Sequence, residues 1–92
     1  MSEPGQRWEI FFERQAEKEL RKLPRHILER LDRKLRRLTV NPWPPGCIRL
    51  EGYDLYRVWL GRDWRLTYAV EPGKIVVVEV APRQRAYKGL GR

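Results

Sequence analysis

The sequence has few of the residues from which most hydrolytic and metal sites are built. Its 92 residues include one cysteine, Cys47, and one histidine, His26. A single cysteine excludes an internal disulfide and a zinc site built on cysteines, and it is typical of a reducing compartment. A single histidine excludes a catalytic histidine pair, and no Ser-His-Asp set or carboxylate pair is found at predicted strand ends. We therefore expect neither a metal nor a cofactor.

The sequence also lacks long apolar runs and has fewer acidic than basic residues. No stretch approaches the roughly 18 apolar residues of a membrane span, and the N-terminus has no apolar secretion-signal core. We therefore expect a cytoplasmic protein with no membrane partner. Twenty Lys and Arg against twelve Asp and Glu give a net charge of +8. This excess indicates a polyanionic partner, although a genome that prefers Arg codons would also produce it.

The first half of the chain predicts a strand and two helices. Residues 8–12 form an aromatic and apolar run typical of a strand. Helical periodicity begins at Glu13, and Pro24 divides it, being suited to the first turn of a second helix. One face of that helix is apolar, and the other is basic. The basic residues are Arg30, Arg33, Lys34, Arg36 and Arg37. They form either a solvated helix face or a second contact with nucleic acid.

The second half of the chain predicts a meander of strands. A proline-rich segment at 41–46 ends the second helix. The strands are expected at 48–50, 55–60, 64–70 and 75–81. A short turn at 61–63 joins two of them into a hairpin. The predicted fold is α+β, with an N-terminal strand, a two-helix hairpin and a largely antiparallel sheet covered by the helices on one face. At this length we expect one domain over residues 1–92.

Strand alternation predicts which side chains share a face of the sheet. The apolar sets should meet the helices, and we assign to that face Tyr56, Val58, Leu60, Trp64, Leu66, Tyr68, Val70, Val76, Val78 and Val80. The opposite, open face would then carry Ile75, Val77 and Glu79 of the last strand. It would also carry Arg57, Trp59, Arg65 and, just past the last strand, Arg83.

Three arginines beside a tryptophan are suited to bind a phosphodiester flanked by bases that can stack. Arginines on a solvated surface are the alternative interpretation. If the protein cuts RNA, the ribose 2′-hydroxyl can serve as the nucleophile, because the sequence has neither a metal-ligand cluster nor a histidine pair. The protein would then align that hydroxyl with the phosphate and stabilise the added charge with arginine.

Four segments together resemble the RelE/ParE toxin superfamily. They are LRKLP at 20–24, NPWPPGCIRLEG at 41–52, LYRVWLGRDWRLTYAV at 55–70 and VVEVAPRQRAY at 77–87. The resemblance covers nearly the whole chain. The hairpin followed by a terminal Arg-x-x-x-Tyr is fairly specific to the superfamily, but it does not separate its branches.

For RelE-like members the resemblance implies cleavage of mRNA in the ribosomal A site, and the cationic surface implies an acidic antitoxin protein as partner. The expected catalytic residues are Arg65, Arg83 and Tyr87, and the expected substrate-binding residues are Arg57, Trp59 and Arg85. Trp59 falls where some members have a second basic residue, and Pro82 falls where many have a histidine. A ParE-like inhibitor of DNA gyrase and a nucleic-acid-binding module without activity remain alternatives.

Overall fold

The computed structural model describes residues 7–83, which form two helices and one five-stranded sheet. The elements are β1 (Glu9–Phe12), α1 (Arg14–Leu20), α2 (Arg25–Leu38), β2 (Ile48–Leu50), β3 (Leu55–Leu60), β4 (Trp64–Glu71) and β5 (Lys74–Pro82). The predicted α+β order of a strand, two helices and a strand meander is therefore confirmed. Most of the boundaries differ from the predicted ones by only one or two residues.

The strands lie in the order β1-β5-β4-β3-β2. From β2 to β5 each strand pairs antiparallel with the next one along the chain. β1 instead pairs parallel with β5, in a register that places Glu9 opposite Lys74 and Phe12 opposite Val77. Parallel neighbours cannot be joined by a tight turn, and here the helices and the meander lie between them in sequence. The sheet is therefore mixed, with one parallel pair at its β1 edge.

Pro24 separates the two helices, as expected, but it lies just before α2 rather than in its first turn. It is the N-cap residue of α2, and its carbonyl accepts the backbone N–H groups of Ile27 and Leu28 at 3.0 Å. A proline lacks the N–H group that a helix start would leave without a partner, so it fits this position. Neither α1 nor α2 is long and apolar enough to cross a membrane.

Both helices pack on the same face of the sheet and form one apolar core with it. Its buried members, each at most 3% exposed, are Ala16, Ile27, Leu31 and Leu38 from the helices and Val58, Leu60, Leu66, Tyr68, Ile75, Val77 and Val80 from the strands. The alternation predicted for β3 and β4 is confirmed, because Val58, Leu60, Leu66 and Tyr68 all face this core.

The predicted faces of β5 are wrong in its first half. Ile75 and Val77 are fully buried in the core rather than on the open face. Val76 and Val78, expected in the core, are only partly buried. Val76 pairs with Ala69, a residue of the open face of β4.

A register shift between β4 and β5 explains the difference. Thr67 pairs with Glu79, but the next residue of β4, Tyr68, pairs with Val77, which leaves Val78 as an extra residue. One extra residue reverses the alternation of a strand. Glu79 therefore returns to the open face, where alternation predicts it, although the residues before Val78 do not match the prediction.

The part of β5 beyond the bulge is held by α1. β1 ends at Phe12, and its last hydrogen bond to β5 comes from the N–H of Glu13 to the carbonyl of Val77 at 2.9 Å. Three residues later the N–H of Val80 donates to Oε1 of Glu19 at 3.1 Å, and Glu19 is only 8% exposed. A buried backbone N–H without a partner is costly, so this carboxylate stabilises the strand where β1 no longer covers it.

The loop between α2 and β2 is tied to the sheet by Tyr68. Its hydroxyl donates to the carbonyl of Pro42 at 2.6 Å and lies 3.3 Å from Sγ of Cys47. Burial, and then the contact with Cys47, raises the pKa of Tyr68 above its usual value, so the hydroxyl stays protonated and able to donate. Trp43 of the same loop makes edge contacts with Tyr56 and with Trp8, at centroid distances of 6.4 and 6.1 Å.

Leu31→Asp should lower the free energy of unfolding by about 3–5 kcal/mol, because it places an unpaired charge in the core. Leu28→Asp is the matched control, since Leu28 lies on the same helix but is 38% exposed, against 3% for Leu31. The control should cost less than about 1 kcal/mol. Urea unfolding followed by tryptophan fluorescence measures both. Equal midpoints for the two variants would show that Leu31 is not part of the core.

Candidate nucleic-acid interface

Two rows of paired residues cross the open face of the sheet from β3 through β4 to β5. The first row is Arg57, Thr67 and Glu79, and the second row is Trp59, Arg65 and Ala81. Residues that pair directly across a sheet have side chains on the same face, with Cβ atoms about 5 Å apart. The polar side chains of three different strands are therefore brought together by strand pairing alone.

Trp59 lies at the centre of this surface. The guanidinium carbon Cζ lies 5.2 Å from the centroid of the Trp59 ring in Arg57 and in Arg83, and 5.7 Å from it in Arg65. These distances are within the range of a cation–π contact. The structure thus brings together four of the predicted site residues, which we call the Trp59 cluster: Arg57, Trp59, Arg65 and Arg83.

Arg83 reaches the cluster although it follows the last strand. Its backbone N–H donates to the carbonyl of Asp63, in the turn between β3 and β4, at 2.7 Å. In the preceding pair Pro82 lies opposite Trp64, the first residue of β4. The end of β5 is therefore fixed against the β3–β4 turn, and this contact positions the Arg83 side chain beside Trp59.

The four members of the cluster differ in burial. Arg65 is only 3% exposed, whereas Arg57 and Trp59 are half-buried and Arg83 is exposed. Arg65 does lie on the predicted face, but it forms the floor of the cluster rather than its solvated surface. Its neighbour in β5, Ala81, is fully buried and small. Arg83 is the member most accessible to a ligand.

The cluster concentrates positive charge at one place on the protein. Each cation–π contact with the indole ring is worth only about 0.5–2 kcal/mol. A phosphate group can accept paired hydrogen bonds from arginine and would neutralise part of the charge.

Glu79 is a residue of this surface that the sequence does not single out, although alternation places it on the open face. It stands in the row of Arg57 and Thr67, beside the row that contains Trp59. Its signal in the sequence is a single carboxylate inside an otherwise apolar strand. Because a carboxylate can accept a proton and guanidinium groups cannot, Glu79 adds a possible base to the site.

Two expected site residues, Arg85 and Tyr87, lie outside residues 7–83, and their positions stay predictions. Within the described range no group of three or more Asp, Glu, His or Cys side chains is arranged to hold a metal ion. The chemistry that the described site can perform is anion binding, stacking of an aromatic base and stabilisation of negative charge.

Known proteins resemble the chain both in sequence and in structure. The model of the ParE toxin family of type II toxin–antitoxin systems, parDE, matches residues 10–87. None of the curated protein sequences matches. The archaeal RelE of the Pyrococcus horikoshii RelE–RelB complex is 31% identical over 85% of this chain and 97% of its own, with a TM-score of 0.72.

Two further solved toxins are similar. The isolated E. coli RelE toxin is 27% identical over 90% of this chain and 98% of its own, with a TM-score of 0.70. A toxin–antitoxin complex of RelB and RelE from Methanococcus jannaschii is 20% identical over 86% and 96% of the two chains, with a TM-score of 0.72, and it shares the fold.

Burial of Arg65 predicts that its removal weakens the fold as well as the site. Arg65→Ala should lower the free energy of unfolding by about 1–3 kcal/mol, because the packed stem of the side chain is lost beneath Trp59. Arg83→Ala removes the same groups from an exposed position and should change stability by less than about 0.5 kcal/mol. Chemical unfolding of both variants tests the difference. An Arg65→Ala protein as stable as the wild type would rule out the packing role.

Proposed function

Because the chain belongs to the ParE toxin family of type II toxin–antitoxin systems, we propose that it is a RelE-type toxin that cleaves mRNA in the ribosomal A site. The observation that carries this proposal is the Trp59 cluster, in which three guanidinium groups surround one indole ring. The similarity to the RelE toxins of P. horikoshii and E. coli supports the RelE branch.

The scissile phosphodiester binds in the Trp59 cluster. Arg57 holds a phosphate oxygen of the substrate, and Trp59 stacks on a neighbouring base. Arg85, outside the described residues, adds to the same contact.

The reaction is an internal transfer of the phosphoryl group. The ribose 2′-oxygen attacks phosphorus, the bond from phosphorus to the 5′-oxygen breaks, and the leaving 5′-oxygen gains a proton. The products are a 2′,3′-cyclic phosphate and a 5′-hydroxyl. Arg65 and Arg83 donate hydrogen bonds to the phosphate oxygens, whose charge grows in the transition state. A preorganised donor of this kind typically contributes about 10²–10³ in rate.

The 2′-hydroxyl proton needs an acceptor. Arginine cannot accept it, and among the two rows of the described site Glu79 carries the carboxylate that can. We assign Glu79 as the general base. Tyr87, outside the described residues, stacks on a base or relays the proton. A general base contributes about 10²–10⁴ in rate, so the assignment has a measurable consequence.

Inhibition of DNA gyrase in the manner of ParE is the second candidate. The matching family model carries the ParE name, and Trp59 stands where some RelE-like members have a basic residue. In that case the Trp59 cluster would bind a partner and cleave nothing. A supercoiling assay with purified gyrase separates this candidate from the first.

A toxin of this family needs a partner that silences it. Two of the similar solved structures are complexes with the antitoxin RelB. We propose an acidic antitoxin with a poorly ordered segment that folds on the cationic surface. It covers the Trp59 cluster or displaces the segment that carries Tyr87. Either arrangement removes the substrate site without altering the core.

Purified protein added to translating ribosomes should cut mRNA within the A-site codon, with the ends mapped by primer extension. Arg83→Ala should lower the rate by about 10²–10³ with the fold intact. Arg25→Ala is the matched control, because Arg25 is exposed and pairs with Glu29 on α2, and it should cut at the wild-type rate. Full cleavage by Arg83→Ala would overturn the site. An uncut message together with inhibited gyrase would favour the second candidate.

The antitoxin encoded beside the toxin should associate rapidly and in a salt-dependent manner, because a net charge of +8 steers an acidic partner. Dissociation should be slow and nearly independent of salt, since desolvated apolar contacts control it. Stopped-flow measurements from low to high ionic strength give both rate constants. An association rate that does not fall with added salt would contradict the electrostatic mechanism.

A further inference from the structure

The basic residues of α2 form a stripe that is separate from the Trp59 cluster. Its members follow one another at helical spacing: Arg30, Arg33, Lys34 and Arg37. Positions i, i+3, i+4 and i+7 lie on one side of a helix, so four positive charges stand in one line about ten ångströms long. The stripe lies beside the apolar face that α2 presents to the core.

The other charges of α2 neutralise one another elsewhere on the helix. Asp32 pairs with Arg36 at 3.0 Å, and Glu29 pairs with Arg25 at 3.6 Å, both as exposed i, i+4 pairs. None of the ion pairs found within residues 7–83 includes a member of the stripe. Both acidic side chains of α2 thus pair with arginines outside the stripe, and Arg36, which the sequence groups with it, is one of these.

A cleft of about 170 Å³ separates this stripe from the end of β3. The four basic residues form one wall, and Trp59, Leu60 and Gly61 form the other. Gly61 has a φ of +78°, and a Cβ atom there would collide with the Arg30 guanidinium. Because Gly61 has no side chain, the Arg30 guanidinium can lie over the β3–β4 turn. The cleft is smaller than the roughly 300 Å³ of the smallest drug-sized pockets, which suits a phosphate group rather than a whole nucleotide.

The cleft is accessible because β2 is short. β2 pairs with β3 only as far as Arg57, so the last residues of β3 form an edge that no strand of residues 7–83 covers. Trp59 lies on this edge, and it is at once the centre of the Trp59 cluster and part of the cleft wall. The two basic surfaces therefore meet at one residue.

We propose that the α2 cleft binds a second phosphate group of RNA, next to the phosphodiester held in the Trp59 cluster. The proposal rests on the proposed function only in taking RNA as the polyanion. An RNA backbone carries phosphates at regular intervals on both sides of any scissile bond, and Trp59, which belongs to both surfaces, brings the cleft next to the cluster that holds the scissile one. The second phosphate belongs either to the substrate strand or to ribosomal RNA.

The test is the salt dependence of binding to a fluorescent 2′-O-methyl oligouridine, a single strand that cannot be cleaved. For single strands the slope of log K against log salt is about −0.7 per phosphate contact. The double variant Arg33→Ala/Arg37→Ala should make that slope shallower by about 0.7, which corresponds to the loss of the one phosphate contact made in the cleft. The control, Arg25→Ala/Arg36→Ala, removes the same charge from the ion-paired faces and should leave the slope within about 0.3 of wild type.

A second arm measures binding to ribosomes that carry no mRNA. Weaker binding of the cleft variant to the oligonucleotide assigns the second phosphate to the substrate strand, and weaker binding to empty ribosomes alone assigns it to ribosomal RNA. An unchanged cleft variant in both arms overturns the proposal. So do equal slope changes in the cleft variant and the control, or a cleft variant that loses affinity only for the antitoxin.

The test of the cleft does not depend on whether the protein cleaves mRNA. A wild-type protein that cuts no message but shows the slope change in the cleft variant would preserve the cleft and remove the proposed reaction. A protein that cuts mRNA while the cleft variant matches the wild type both on the oligonucleotide and on empty ribosomes would preserve the reaction and remove the cleft. Thermal melting confirms that the exposed substitutions leave the fold unchanged.

Discussion

One extra residue in β5 allows the same strand to serve the core and the open face. Ile75 and Val77 fill the core before the bulge, and Val80 fills it after the bulge. A regular strand cannot place residues at odd and even positions on one side. With the bulge, the strand buries all three apolar side chains and still presents Glu79 on the open face, in the row of Arg57 and Thr67. The geometry of the site is thus a consequence of how the core is filled.

Prediction from the sequence succeeds where the strands are regular. β3 and β4 alternate clearly between apolar and polar residues, so the convergence of Arg57, Trp59 and Arg65 is visible without a structure. β5 gives no such signal around its bulge, because its residues there are apolar on both faces. The parallel pairing of β1 is also hidden, since the pairing partner lies more than sixty residues away along the chain and local pattern carries no information on it.

Burial and charge pairing are the other properties that the sequence leaves open. Alternation predicts the face of the sheet on which Arg65 lies but not how deeply its side chain is buried, because burial depends on the neighbours that cover it. The basic side of α2 is likewise apparent from its composition. Its division into the stripe and an ion-paired face depends on which acidic side chains each arginine reaches. The burial of Arg65 and the ion pairs of α2 both depend on distances between side chains, which the sequence does not give.

Among the described residues, Trp59 belongs to both the Trp59 cluster and the α2 cleft, and this has an evolutionary consequence. A substitution there changes the stacking surface of one and the wall of the other in a single step. The two surfaces therefore cannot evolve independently at this position. A substitution that alters one of them must also be tolerated, or compensated by a second substitution, in the other. Variation in this toxin is therefore expected to be less constrained around the ion-paired face of α2, where no such sharing occurs.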